Sequence, residues 1–231
     1  DAGANYLTVV KQLLTQAGIS SVIETPTAQV LAEDREDWDI GTDYLSIINT
    51  LLSEINYNSL WFNFDGVAVL EPYSEPDADS INYKYDGTTH ASVISMDASV
   101  ETDLFDKPNV FIAICDNPDK DDVMSATAEN NNPGSALSII RRGRRIARVY
   151  KIDNIADQDA LQAYADRLCY ESQLGSQTAI IQTALEPGHG IGDVIAINHP
   201  ALSGICEETA WSMTLGAGQY MTHTLKKAVY Q

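Results

Sequence analysis

Apolar residues in the first fifty positions recur at helical spacing. Tyr6, Leu7, Val10, Leu13, Leu14 and Ala17 fall at i, i+3, i+4 and i+7, which predicts a helix over 4–17. Gly18 stands where a left-handed C-terminal cap belongs. A short helical turn is expected at 27–32, then a solvated acidic loop from Glu33 to Asp39. A second helix is predicted over 43–55. Thr42 or Asp43 can cap it, and Tyr44, Ile47, Ile48, Leu51, Leu52 and Ile55 form its apolar stripe.

The period then changes. Leu60–Phe64 and Val67–Leu70 read as two strands around Asp65-Gly66, a pair that favours the type I′ turn of a tight hairpin. Residues 72–88 hold Pro72, Pro76 and Asp86-Gly87, and read as loop and boundary. Strands are expected at 91–96, 109–115 and 145–152, with a long polar loop over 116–136. A helix follows over 156–172, capped by Asp157, with Leu161, Tyr164, Ala165 and Leu168 inward. Further strands are expected at 177–185, 192–198, 207–215 and 218–229, the third with Thr209, Trp211, Met213 and Leu215 on one face. The fold class is therefore α+β. A helix and hairpin region occupies 1–86. A mostly antiparallel β-barrel-like domain with one packed helix occupies 87–231.

Charge is polarised along the chain. Net charge is −19. Residues 1–122 hold 23 acids and 5 bases, whereas 123–231 hold 10 and 9, so the excess lies in the first half. Such a surface repels nucleic acid and anionic membranes. Cys115, Cys169 and Cys206 are widely spaced and form no CxxC pair, so they suit neither a zinc knuckle nor a disulfide framework and read as small buried hydrophobes. No apolar run approaches the roughly 18 residues of a membrane span. The chain opens Asp1-Ala2-Gly3 with no Met and no signal peptide, and reads as a piece of a longer protein.

Candidate chemistry is sparse. Asp116, Asp119, Asp121 and Asp122 are spaced closely enough for calcium, but the glycine and bidentate glutamate of a calcium loop are missing; that segment reads as solvated, as do Glu75, Asp77 and Asp79. His90, His189, His199 and His223 lack metal-ligand spacing. His223 alternates with Met221 and Leu225, as a satisfied core or interface histidine would. Gly188-His189-Gly190-Ile191-Gly192 precedes a strand instead of opening a helix, so it reads as a turn before Asp193. No nucleophile elbow occurs, no cofactor or metal is indicated, and the chain reads as non-enzymatic.

Asn130–Ile146 stands out. A polar Asn/Pro/Gly/Ser loop leads to Arg141, Arg142, Arg144, Arg145 and Arg148, five of the chain's fourteen basic residues. Guanidinium forks match carboxylates. Contact with the acidic surface of another subunit is one reading, with Arg141, Arg142, Arg144 and Arg145 as the interface. Local pairing is the other.

Several segments in this order resemble the late-control-D type of baseplate hub from contractile phage tails, in the form found in prophages of Gram-positive bacteria. They are Leu51–Tyr57 with the hairpin to Glu71-Pro72-Tyr73 and Pro76; Phe105-Asp106-Lys107-Pro108-Asn109-Val110; Asn132-Pro133 and Ser135 leading to Gly143-Arg144-Arg145-Ile146; the helix with Ala160, Ala163 and Ala165; and Gly192-Asp193-Val194-Ile195. The resemblance runs from residue 5 to 229 and rests on order and spacing. It implies tube-like barrels assembling as a trimeric ring between tail tube and spike. The partners implied are copies of the same chain, tube and spike proteins, and DNA that passes without specific binding. The location implied is the baseplate of a virion assembled in the host bacterial cytoplasm. The family's first barrel domain would precede Asp1. Two alternatives stand beside this reading: the hub of an injection system or bacteriocin, and a carbohydrate-active cell-wall enzyme or glycan-binding module supported by the acidic composition and by Trp38, Trp61 and Trp211.

Overall fold

The computed structural model describes residues 1–35, 38–76, 79–88, 94–115, 123–174 and 177–227. The Asp116–Asp122 segment, His90 and Asp77 lie outside these. The chain gathers into two compact units, each made of three stretches: 1–74, 112–127 and 149–166 in the first, 75–111, 128–148 and 167–231 in the second. The first therefore draws residues from both sides of position 86.

In the first unit, α1 (Tyr6–Gln16) begins at Asn5, whose side chain accepts from the amides of Leu7 and Thr8. It ends at Gly18, where φ is +87°. The same Asn5 donates its amide to the carbonyls of Thr27 and Gln29, so residues 27–32 are tied down as extended chain and not as the expected helical turn. Asp43 caps α2 (Tyr44–Ser53). Tyr6, Leu7, Val10 and Leu14 of α1 meet Ile47, Ile48, Leu51 and Leu52 of α2 in one core, closed by Leu31, Ile55, Tyr57, Ala68 and Leu70. Tyr44, expected in that stripe, is exposed.

A three-stranded sheet lies in the order β1-β3-β2: β1 (Val22–Glu24) runs parallel to β3 (Ala68–Leu70), and β2 (Trp61–Phe62) antiparallel to it. The short run at β1 carries too few residues to show a period. The hairpin turn differs from the expected type I′. The Gly66 amide donates to Asn63 O at 2.9 Å, and only Gly66 has positive φ. That is a three-residue loop closing with a left-handed glycine. Asn63 decides it, because its side chain accepts from the amides of Asp65 and Val67.

In the second unit, six strands form one curled, half-barrel sheet. They are β4 (Ile81–Asp86), β5 (Ile94–Thr102), β9 (Gln177–Thr183), β10 (Val194–His199), β11 (Leu202–Met213) and β12 (Met221–Lys227), in the order β4-β10-β11-β12-β9-β5. All neighbours are antiparallel except β4 with β10. β4 falls inside the stretch read as loop, since Asn82, Lys84 and Asp86 break its apolar pattern. Ala179, Ile181, Ile195, Ile197, Leu202, Cys206 and Leu225 form its core. A third sheet has the order β7-β6-β8, from β6 (Val110–Cys115), β7 (Met124–Glu129) and β8 (Ala147–Ile152). β7 lies in the expected polar loop because only Ala126 and Ala128 of its residues are buried. Two helices complete the fold, α3 (Ile139–Arg142) and α4 (Gln158–Leu174). The Asp157 side chain accepts from the Ala160 amide at the start of α4. Leu161 and Ala165 are fully buried there, while Tyr164 and Leu168 are half-buried.

Candidate functional site

Two places in the second unit bury polar side chains where a strand or loop would ordinarily bury apolar ones. The first underlies the arginine turn. Asn109 is fully buried, and one amide group makes three bonds: its Nδ2 donates to Arg144 O at 3.0 Å and to Leu137 O at 3.2 Å, and its Oδ1 accepts from the Ile146 amide at 2.7 Å. Asn130 Nδ2 donates to Ser135 Oγ at 2.9 Å, and the Ile139 amide donates to Asn130 O at 2.9 Å. Ser138 donates to Ser135 O and caps α3 through Arg141. Gly143 ends α3 in the left-handed conformation at φ 64°. A buried amide costs free energy unless it is bonded, and here each bond fixes the loop. The turn is therefore a built platform.

The platform divides its arginines. Arg142 points back, donating to Lys107 O at 2.7 Å and to Leu104 O. Arg145 pairs with Glu129. Arg148 lies 3.8 Å from the Asp106 carboxylate. Arg141 and Arg144 are exposed, and neither has an ion-pair partner among the described residues. Local pairing thus accounts for three of the five, and leaves Arg141 and Arg144 facing solvent.

The second place is a cluster that no sequence spacing announces. His189, Glu208 and His223 are all fully buried. Glu208 bridges the two imidazoles: its Oε2 is 2.6 Å from His189 Nδ1, and its Oε1 is 2.5 Å from His223 Nδ1. The far nitrogens are also held, His189 Nε2 by the Tyr85 hydroxyl at 2.7 Å and His223 Nε2 by Thr183 Oγ1 at 2.7 Å. Tyr83 stacks on His189 with ring centroids 3.8 Å apart. Burial pushes the Tyr85 hydroxyl up to about 12.

His189 reaches this cluster from the glycine-rich turn. Gly190 donates its amide to Asp193 Oδ2 at 2.6 Å, and Gly192 donates to Glu208 O at 2.7 Å, so the turn is stitched to β11. A Cβ at Gly188 would lie 2.8 Å from Tyr83 Oη, so only glycine allows that approach. Glu208 faces inward because of a bulge between Glu208 and Ala210. The bulge reverses the side-chain parity of β11. Trp211 and Met213 pair with His223 and Met221 on one face, and Glu208, opposite Leu225, joins that face too. Alternation read back from Trp211 puts Glu208 on the other face, so the pattern hid it.

The donor set invites a metal, since the three ligand atoms lie within 4.8 Å of one another. An ion bonded at about 2.1 Å needs donors roughly 3 Å apart around it. Separations of 2.5 and 2.6 Å are those of hydrogen bonds in which a proton lies between nitrogen and oxygen. The geometry is a hydrogen-bonded bridge.

No family profile and no curated protein matches the sequence. Solved structures do match. A tail protein from Neisseria meningitidis MC58 superposes with TM-score 0.67 at 14% identity, covering 97% of this chain and 67% of that one. The 43 kDa tail protein of prophage MuSo2 from Shewanella oneidensis gives TM-score 0.68 at 12% identity, covering 98% and 67%. The chain has the fold of phage tail proteins. Prophage tail protein gp18 from Listeria monocytogenes EGD-e, with TM-score 0.53 at 16% identity, covers 93% of this chain and 64% of its own length. The chain thus spans about two thirds of these tail proteins, and both the helical unit and the half-barrel fall within the shared region. No helix among the described residues is long and apolar enough to cross a membrane.

Proposed function

We propose that this chain is a structural component of a contractile phage or prophage tail, a baseplate hub of the late-control-D type that forms a trimeric ring between tail tube and spike. The observation that carries the reading is the tail-protein fold over 97–98% of the chain. The motif order supports the hub assignment. The rigid platform supports an assembly role, since a preorganised turn gives contacts at little entropic cost. A genome-free injection particle would use the same ring. The role inferred is structural: the clustered titratable groups His189, Glu208 and His223 are wholly buried, which keeps them from any substrate.

In the ring, Arg141 and Arg144 meet carboxylates of the next subunit, Arg142 and Arg145 hold the turn that presents them, and an acidic lumen lets DNA slide past. The first measurement is the mass of the full-length protein by light scattering coupled to size exclusion. A trimer is expected. Arg141→Glu with Arg144→Glu leaves a folded chain that no longer assembles. A monomer at high concentration, or a ring that survives reversal of all four arginines, overturns the proposal.

A further inference from the structure

The hydrogen bonds around Glu208 fix how many protons the buried cluster carries. A hydroxyl has one proton, and Thr183 Oγ1 gives its own to Ala184 O at 2.9 Å. Towards His223 Nε2 it can then only accept, so that nitrogen bears a hydrogen. On the other side of the ring, Nδ1 faces a carboxylate oxygen at 2.5 Å, a contact that needs a proton between them. At His189 the pattern differs. The Tyr85 hydroxyl stays protonated, and with it as the donor to Nε2, 2.7 Å away, His189 is a neutral ring whose single proton, on Nδ1, goes to Glu208. Glu208 thus faces an imidazole nitrogen at each of its two oxygens.

We propose that His189, Glu208 and His223 form a proton-counted clasp, with His223 as a buried imidazolium, Glu208 as a carboxylate and His189 as a neutral imidazole. The clasp holds the 184–193 turn on the sheet and releases it when the count changes. Every hydrogen bond is complete, and the net charge of the three groups is zero, only at this count. The elements packed around it supply the remaining groups. β4 gives Tyr83 and Tyr85, the turn gives Glu186 and Asp193, β9 gives Thr183, and β11 and β12 give Glu208 and His223. A second proton, on His189 Nε2, would oppose the Tyr85 donor and leave the cluster positive. Asp193 Oδ2 lies 3.8 Å from His189 Nδ1, and Tyr83 covers the ring. The turn is the element free to give way, because it joins two strands and is not itself one.

This proposal stands apart from the assembly role and is tested on the isolated full chain. Nitrogen-15 spectra of the histidine rings at neutral pH are expected to show both His223 nitrogens protonated and one bare nitrogen on His189. On acidification, as His189 gains its second proton, amide exchange across 184–193 rises about tenfold or more, while α1 stays protected. Glu208→Gln, which cannot balance His223, shows the fast exchange already at neutral pH. A bare nitrogen on His223 overturns the proposal, as does exchange in the turn that ignores the His189 titration. One equivalent of zinc retained by the purified chain also overturns it. The wild-type spectra decide even if Glu208→Gln does not fold.

Discussion

The two units bury their interiors by different means. The first is centred on apolar side chains packed on one another, among them Leu14, Ile48, Leu52 and Leu70. Its one buried carboxylate among the described residues, Glu54, is held by the Tyr6 hydroxyl and Arg35. The second places a carboxylate and two imidazoles against its sheet, and pins its most basic turn with Asn109, Asn130, Ser135 and Ser138. An apolar core tolerates changes of shape at moderate cost, because the hydrophobic effect has no direction. A polar centre is directional. Complete, it specifies one arrangement; deprived of one member, it leaves the others desolvated and unpaired.

The largest expected effect tests that contrast directly. Glu208→Ala strands His223 and His189 without an acceptor and is expected to cost about 3–5 kcal/mol. Leu52→Ala in the first unit removes only apolar contacts and costs roughly 2–4 kcal/mol. Denaturant titrations compare them. The sharper comparison is the joint replacement His189→Leu, Glu208→Met, His223→Leu. If the cluster's cost lies in unpaired members, this triple variant is more stable than Glu208→Ala alone. A triple variant that is weaker still would mean the polar groups contribute more than their mutual satisfaction, and the contrast between the units would fail.

Legibility followed the same line. The helices over 4–17 and 43–55, the hairpin and the helix over 156–172 were readable because apolar residues repeat at 3.6 or 2 along them. β4 was not: Asn82, Lys84 and Asp86 alternate with tyrosines, and Tyr83 and Tyr85 are held at their places by His189, a residue more than a hundred positions away. The alternation of His223 with Met221 and Leu225 read as a satisfied core or interface histidine, and the structure buries it fully. Its partner Glu208 was not, because the β11 bulge inverts parity at that residue. The arginine turn was visible as a feature from its composition. Its division into Arg142 and Arg145, bonded locally, and Arg141 and Arg144, facing solvent, depends on backbone carbonyls and on Glu129, which no local pattern predicts. Asn109 stood out only through its place at the start of an apolar strand and in the Phe105–Val110 segment of the resemblance; nothing local marked it as the pin of the arginine turn.

A middle-sized effect is expected at that asparagine. Asn109→Ala leaves Arg144 O, Leu137 O and the Ile146 amide without their partner, at about 1–3 kcal/mol. Stability is the lesser readout. The turn should loosen, so that trypsin cuts after Arg144 faster than in the wild type while the core of the first unit is unaffected. Asn109→Asp keeps the acceptor for Ile146 and loses both donors, so it falls between the two. Equal cutting in all three proteins would show that the platform is held by its backbone bonds alone.

The smallest effect belongs to the hairpin of the first unit, where side-chain packing is not at stake. Nothing lies within 4 Å of a Cβ built on Gly66, so space is no obstacle; its φ of +74° is. Gly66→Ala is expected to cost about 1 kcal/mol, the price of a side chain in the left-handed region. Gly66→Asn should cost less than half of that, because asparagine visits this region more readily. The type I′ turn expected from Asp65-Gly66 makes a different forecast: with both central residues at positive φ, Asp65→Ala would be as harmful as Gly66→Ala. In the three-residue loop it should be nearly silent, since Asp65 is not in the left-handed region and the Asn63 side chain accepts from its backbone amide, which the substitution keeps. Melting curves of the two alanine variants, set side by side, separate the turns.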